Sequence, residues 1–299
     1  MRFRAGVWNL ATARVCERGF ASMTHTHFKG WAKPGPVPPG ASTQPDLPAD
    51  ETLDALSGHF RIYQLRRGHR FSTDDLLTAW YGTTCVPSAS TVLDLGSGIG
   101  SVGMIAAWRL QGARVVTIEA QPESVRLARK SAAYNGLEHR YEIREGDFRE
   151  RGALGDDERF DLILGSPPYF PLGTGIEGDH PQKVACRFEL RGDIGDYAMA
   201  ASAHLSAGGL FACVFPEEQR TRVETAAADA TLTIVRCRPV IFREGEPPLV
   251  TLFALMRAAD LPPAARGRTW TDPPLVIRSA NGHVHPEYAV VKLSVGFPP

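Results

Sequence analysis

Followed from end to end, the apolar positions of this chain repeatedly switch period. Thr91 to Leu95 is a short strand-like run carrying an acid at Asp94. A glycine cluster follows at Gly96, Gly98 and Gly100, and then Ile99, Val102, Ile105 and Ala106 recur at helical spacing. The pattern predicts a strand, a tight turn and a helix whose N-terminus faces whatever ligand the turn holds. Further strands are predicted at Arg114–Ala120, Tyr141–Asp147, Phe160–Gly165, Leu210–Phe215, Leu232–Phe242 and Leu249–Met256. Helices are predicted at Pro122–Asn135, Asp193–Ser206 and Glu217–Ala228. Strands alternating with helices specify an α/β, Rossmann-like fold: a seven-stranded, mostly parallel sheet with helices on both faces. No helix separates the last two strands, so one of them should run antiparallel.

The flanks read differently. Phe60 to Trp80 alternates like a hairpin about Gly68, followed by a helix capped at Ser72 or Thr73 with Asp74 and Asp75 in its first turn. Six prolines between Pro34 and Pro48 predict an extended linker that neither coils nor pairs. Residues 1 to about 32 are arginine-bearing and acid-poor, as in an organellar transit peptide; the alternatives are an unstructured leader, or a start placed too early with Met23 as the true start. After Ala259 the chain is proline-rich, and Leu275–Arg278 with His283–Tyr288 would form a hairpin about Asn281-Gly282. The expected division is a leader and linker (1–50), a substrate-side segment (51–90), the catalytic domain (91–259) and a tail (260–299).

Lys and Arg together number 33 and so do Asp and Glu, for a formal net charge of zero. A nucleic acid would therefore have to be met by a local basic patch. Arg61, Arg66, Arg67, His69 and Arg70 form the most basic short segment of the folded region. The five cysteines are scattered without a Cys-x-x-Cys pair, which favours a reducing, cytoplasmic setting over a disulfide framework or zinc site. No metal is expected, His283 and His285 reading as surface histidines. No apolar run approaches the length of a membrane span.

Gly98, Gly100 and Gly103 spell the Gly-x-Gly-x-x-Gly of a dinucleotide site, so the turn alone leaves a dehydrogenase open. Glu119, closing the second strand, stands where an acid meets ribose hydroxyls, and Asp147-Phe148 would lie further along the same crevice, beside an adenine. Either ligand satisfies both. The distinguishing element is Ser166-Pro167-Pro168-Tyr169 after the fourth strand. The nitrogen of an aromatic amine or an amide is planar and a poor nucleophile. Two acceptors, the Ser166 side chain and the Pro167 carbonyl, would take its two hydrogens and favour a pyramidal nitrogen with an available lone pair. Tyr169 would stack on the target ring, and positioning would supply most of the catalysis. A stacked base would first be flipped out.

Together, Leu93-Asp-Leu-Gly-Ser-Gly-Ile-Gly100, Glu119, Asp147 and the Pro-Pro-Tyr turn resemble the class I S-adenosylmethionine-dependent methyltransferases that act on planar nitrogens. Gln64 to Leu77, Asn135-Gly136-Leu137 and Arg187-x-Glu189 are similar to a narrower group, the bacterial tRNA (adenine-N6) methyltransferases that modify the adenine next to the anticodon of a valine tRNA. The resemblance covers roughly residues 58 to 290. It implies S-adenosylmethionine as cofactor, held by Asp94, Gly96, Ser97, Gly98, Gly100, Glu119, Ala120, Asp147, Phe148 and Ser166. It also implies catalysis by Ser166, Pro167, Pro168 and Tyr169, and an RNA partner met by Arg66, Arg67, Arg70, Tyr169, Phe170 and Arg187. One departure stands out: the family has Asn where this chain has Ser166, and Ser-Pro-Pro-Tyr is similar to the turn of cytosine-N4 DNA methyltransferases. A protein glutamine amide, a cytosine amine and a non-catalytic RNA-binding role remain the alternatives.

Overall fold

The structure, a computed structural model, describes residues 27–171, 173 and 180–299; the expected leader as far as residue 26, Met23 included, lies outside the described residues. Two small hairpins come first, β1 (His27–Phe28) with β2 (Trp31–Ala32) and β3 (Glu51–Ala55) with β4 (Arg61–Leu65). They are followed by α1 (Thr73–Cys85), β5 (Thr91–Leu95), α2 (Ser101–Arg109), β6 (Arg114–Glu119), α3 (Pro122–Asn135), β7 (Tyr141–Glu145) and β8 (Phe160–Gly165). Then come α4 (Pro181–Arg187), α5 (Ile194–His204), β9 (Leu205–Pro216), α6 (Arg220–Asp229), β10 (Leu232–Arg243) and β11 (Val250–Arg257), and finally β12 (Trp270–Thr271), β13 (Leu275–Arg278) and α7 (Pro286–Ser294).

The main sheet runs β7-β6-β5-β8-β9-β11-β10, and β11 alone is antiparallel to its neighbours, as the missing helix requires. It has nine strands where seven were expected, because the short strands β12 and β13 add parallel to the outer edge of β10. The two-residue β12 leaves too little alternation in the sequence to be seen, and β13, expected in a separate hairpin, pairs instead with β10. Along β5 and β8 successive side chains serve opposite cores: Val92, Leu162 and Leu164 pack with α1, α2 and α7, and Leu93 and Ile163 with α5 and α6. Cys213 of β9 and Cys237 of β10 are buried thiols.

Three local expectations are corrected. The hairpin ending in β4 turns at Ser57-Gly58, and not at Gly68, because its partner β3 precedes it. β4 is buried almost throughout, so its alternation carried no directional signal. Gly58 has φ +52° and stands so close to Pro34 that a Cβ would meet the Pro34 carbonyl oxygen at 2.0 Å. In the tail, β13 is a strand but His283–Tyr288 is not its mate. A single bridge, Arg278 to Val284, ends the pairing, and Pro286 opens α7, with the His285 ring accepting from the Glu287 N–H at 3.3 Å. Proline lacks the ladder donor and fits the first helical turn. The proline-rich stretch is also not extended throughout: Pro39–Ser42 is a 3₁₀ turn against α3, where a Cβ on Gly40 would meet the Tyr134 ring at 2.4 Å.

Candidate active site

β5 and β8 are parallel neighbours, with Leu95 opposite Gly165. The glycine turn and the Ser-Pro-Pro-Tyr turn therefore leave adjacent strands at one level, in the crevice outside the strand C-termini. Gly96, Gly98 and Gly100 all have φ between +55° and +86°. A Cβ on Gly96 would stand 2.1 Å from the Tyr197 hydroxyl oxygen, whereas nothing lies within 4 Å of one on Gly98. Packing fixes the first glycine, and open space faces the second.

Buried carboxylates hold this turn. Asp94 accepts from the Gly103 N–H at 2.8 Å, and Glu119 accepts from the Gly98 N–H at 2.8 Å and the Gln121 N–H at 2.7 Å. Burial raises both above the ordinary carboxylate range, Asp94 the more, and the backbone N–H groups offset part of that. Asp75 reaches in from α1, accepting from the Ser101 hydroxyl and the Ser72 N–H, each at 3.0 Å. Burial pushes Asp74 and Asp75 up to about 6. Such a concentration of acids disfavours a pyrophosphate and suits a cationic sulfonium. The buried Ser97 hydroxyl has no hydrogen-bond partner among the described residues. An orphaned hydroxyl beside the open side of Gly98 is what a polar ligand in this turn would satisfy.

Across the crevice, Pro167 is buried and Ser166 and Pro168 half-buried. Tyr169 is held at three points. Its hydroxyl donates to Asp74 at 2.8 Å, its ring meets Phe215 edge-on with centroids 5.5 Å apart, and its carbonyl accepts from Gln219 Nε2 at 3.2 Å. Phe170 is exposed and bridges Phe188: its N–H donates to the Arg187 carbonyl at 3.2 Å, and its carbonyl accepts from the Glu189 N–H at 2.9 Å. Glu189 is paired with Arg222 at 2.5 Å, an internal tie for half of the Arg187-x-Glu189 pattern.

The remaining sequence-predicted residues divide. Phe148 packs edge-on against Tyr197, 4.8 Å between centroids, on the same side as Gly96. Asp147 is engaged by Arg149 through both oxygens, at 2.9 and 2.6 Å, which holds it below the usual carboxylate range. Ala120 links Glu119 to α3. Arg66 and Arg67 are exposed after β4 and Arg187 is exposed at the end of α4. Arg70 is not a free patch member, since it bonds Asp54 at 2.8 Å and Thr52 at 2.9 Å. Its charge already has a partner on β3.

Two contributors escaped the sequence. Asp74 looked like a helix-capping acid, and only the fold brings it to Tyr169, ninety-five positions away. Tyr197 underlies both turns: a Cβ on Gly165 would meet its ring at 2.7 Å, as one on Gly96 would meet its hydroxyl. The neighbouring glycines were the available signal.

A family model described as the methyltransferase small domain matches residues 75–178, which span both turns. The tRNA1(Val) (adenine(37)-N6)-methyltransferase of Porphyromonas gingivalis strain W83 is 31% identical over 233 residues, covering 77% of this chain and 89% of that one. This chain belongs to the class I S-adenosylmethionine-dependent methyltransferases and is related to that tRNA(Val) adenine-N6-methyltransferase family. Its donor is S-adenosylmethionine, which supplies an electrophilic methyl group. The release factor glutamine methyltransferase of Geobacter sulfurreducens is 41% identical, but over only 96 residues and 32% of each chain. Among solved structures, one described as a predicted O-methyltransferase from Agrobacterium tumefaciens overlays with a TM-score of 0.57 at 20% identity, covering 75% of this chain and 98% of that one. That likeness shows the methyltransferase fold. Among the described residues, no helix is long and apolar enough to cross a membrane.

Proposed function

We propose that this methyltransferase modifies the exocyclic N6 amine of an adenine in tRNA, next to the anticodon. The observation that carries the reading is the Leu95–Gly165 register, which sets the donor turn and the Ser-Pro-Pro-Tyr turn side by side. Gly96, Ser97, Gly98 and Gly100 would cradle the methionine portion of S-adenosylmethionine, with Asp94 fixing the turn from behind. Glu119 would meet the ribose once it exchanges its backbone donors, with Ala120 beside it. Asp147 and Phe148 would flank the adenine. Ser166 and the Pro167 carbonyl would accept the two hydrogens of the target amine, Pro168 would stiffen the turn, and Tyr169 would cover the base. Arg66, Arg67, Phe170 and Arg187 line the approach for the polynucleotide.

Serine at position 166 accepts through one hydroxyl oxygen that also donates, unlike the amide oxygen of asparagine. It suits a ring amine whose orientation is already fixed by stacking. The relationship to tRNA adenine-N6 enzymes over most of the chain favours RNA, while the shorter match to the glutamine methyltransferase favours a protein amide. Mass spectrometry of nucleosides from tRNA of cells with and without this protein separates them. N6-methyladenosine lost with the protein supports the proposal, and an unchanged tRNA profile sinks it.

A further inference from the structure

The sheet register ties the catalytic turn to a distant surface. Gly165 of β8 pairs with Cys213, Cys213 with Phe253, Phe253 with Cys237, and Cys237 with Thr271 of β12. Trp270 therefore lies on the outer edge of the sheet, level with the strand end that carries Ser166. At ~4.8 Å per strand the lateral separation is roughly 19 Å, the span of on the order of six stacked nucleotides.

Trp270 is 68% exposed, the most exposed of the large hydrophobic side chains among the described residues. It is nonetheless held in place. Its indole N–H donates to Asp272 at 3.1 Å, and the buried Asp272 carboxylate takes a two-point grip from Arg236 at 2.7 and 2.9 Å. Arg266 and Arg268 stand exposed on the segment just before it, and among the described residues neither has a carboxylate in an ion pair, Arg266 Nε donating only to the Leu261 carbonyl at 3.1 Å. A rigid, exposed aromatic face two and four positions after two exposed arginines is poorly explained by folding, since it buries little apolar area. It is well matched to a nucleobase, which stacks on the ring while the arginines meet its phosphates.

Resting on the RNA reading above, we infer that Trp270, Arg266 and Arg268 form a second RNA contact, a stacking platform for an unpaired base of the same RNA whose adenine enters the catalytic turn. The platform gives affinity and orientation and takes no part in the transfer. Its occupant is RNA, because an exposed ring with exposed arginines just before it matches base and phosphate together.

The test is binding of a fluorescent tRNA transcript by the full chain across a salt series. Trp270→Ala should weaken binding about 10-fold and Trp270→Phe should restore most of it, because stacking of a base on an aromatic is lost and regained. Arg266→Ala with Arg268→Ala should reduce the slope of log affinity against log salt by about 1.5. S-adenosylmethionine affinity, measured alongside, should stay at the wild-type value and verifies folding. Ultraviolet crosslinking of a 4-thiouridine tRNA should place wild-type crosslinks in the 266–271 peptide. Wild-type affinity in Trp270→Ala without such crosslinks overturns the platform while the functional reading stands. The same holds if Trp270→Ala alters only self-association, which would make the edge a contact between copies. Failure of the wild-type chain to bind tRNA overturns the platform and the RNA reading together.

Discussion

The two turns of the site are built on opposite principles. The donor turn is mostly local: β5, the glycines and α2 follow within nineteen residues, Asp94 and Glu119 of the next strand accept from its backbone N–H groups, and Asp75 of α1 is the one distant carboxylate. The acceptor turn is assembled from afar. Tyr169 depends on Asp74 of α1, on Phe215 of β9 and on Gln219 beyond it. Local construction makes a fixed cradle for a ligand common to many methyltransferases, whereas distributed construction lets the target side change without disturbing the donor. Tyr197, beneath Gly96 and Gly165, couples the two halves.

The largest expected effect separates them. Tyr169→Ala should lower kcat by at least about 100-fold, as loss of substrate positioning does, with donor affinity by calorimetry within about twofold. Loss of donor binding instead would make Tyr169 part of the cradle. Next, Gly96→Ala should cost about 2–4 kcal/mol from its left-handed backbone and the clash with Tyr197. Combining it with Tyr197→Phe, which removes the oxygen at 2.1 Å, should recover part of that loss in a denaturant-based double-mutant cycle. Additive losses would deny the coupling.

Asp74 gives a smaller and more pointed test. Asp74→Ala should reduce kcat about 10-fold, because a hydrogen bond to a charged group is lost, while Asp74→Asn, which can still accept from Tyr169, should retain most activity. Its titration has a definite sign. Burial raises the folded value to about 6 from 3.8, so the stabilisation from proton uptake is fully present below 3.8 and is lost as pH rises through about 6. Asp74→Asn should therefore be more stable than wild type at pH 8, by about 1–2 kcal/mol, and the gap should shrink on acidification to pH 4–5. A pH-independent gap would place the carboxylate outside the low-dielectric crevice.

The smallest effects concern the basic segment after β4. Arg66→Ala with Arg67→Ala should lower the tRNA salt slope by about 1.5, whereas Arg70→Ala should leave it unmoved, since that guanidinium is spent on Asp54 and Thr52. A drop in slope for Arg70→Ala would return it to the interface.

This contrast also governs what was readable in the chain. The strand order's ingredients and the donor turn are local in sequence, where period and glycine placement carry the signal. The antiparallel strand followed from a missing helix. Asp74 could not be assigned, because a first-turn acid is equally explained by the helix it caps. The Gly68 turn failed for a related reason: β4 is buried on both faces, and alternation is informative only when one face meets water. Pro286 marked a helix start that the Asn-Gly turn before it obscured.

Methyl transfer between the two turns is the central chemistry. Incubating the purified chain with methyl-labelled S-adenosylmethionine and an unmodified valine tRNA transcript, then digesting to nucleosides for mass spectrometry, reads it out. Label in N6-methyladenosine, absent with Tyr169→Ala, is the predicted result. Label in N4-methylcytidine, or none in RNA although the donor binds, would contradict it.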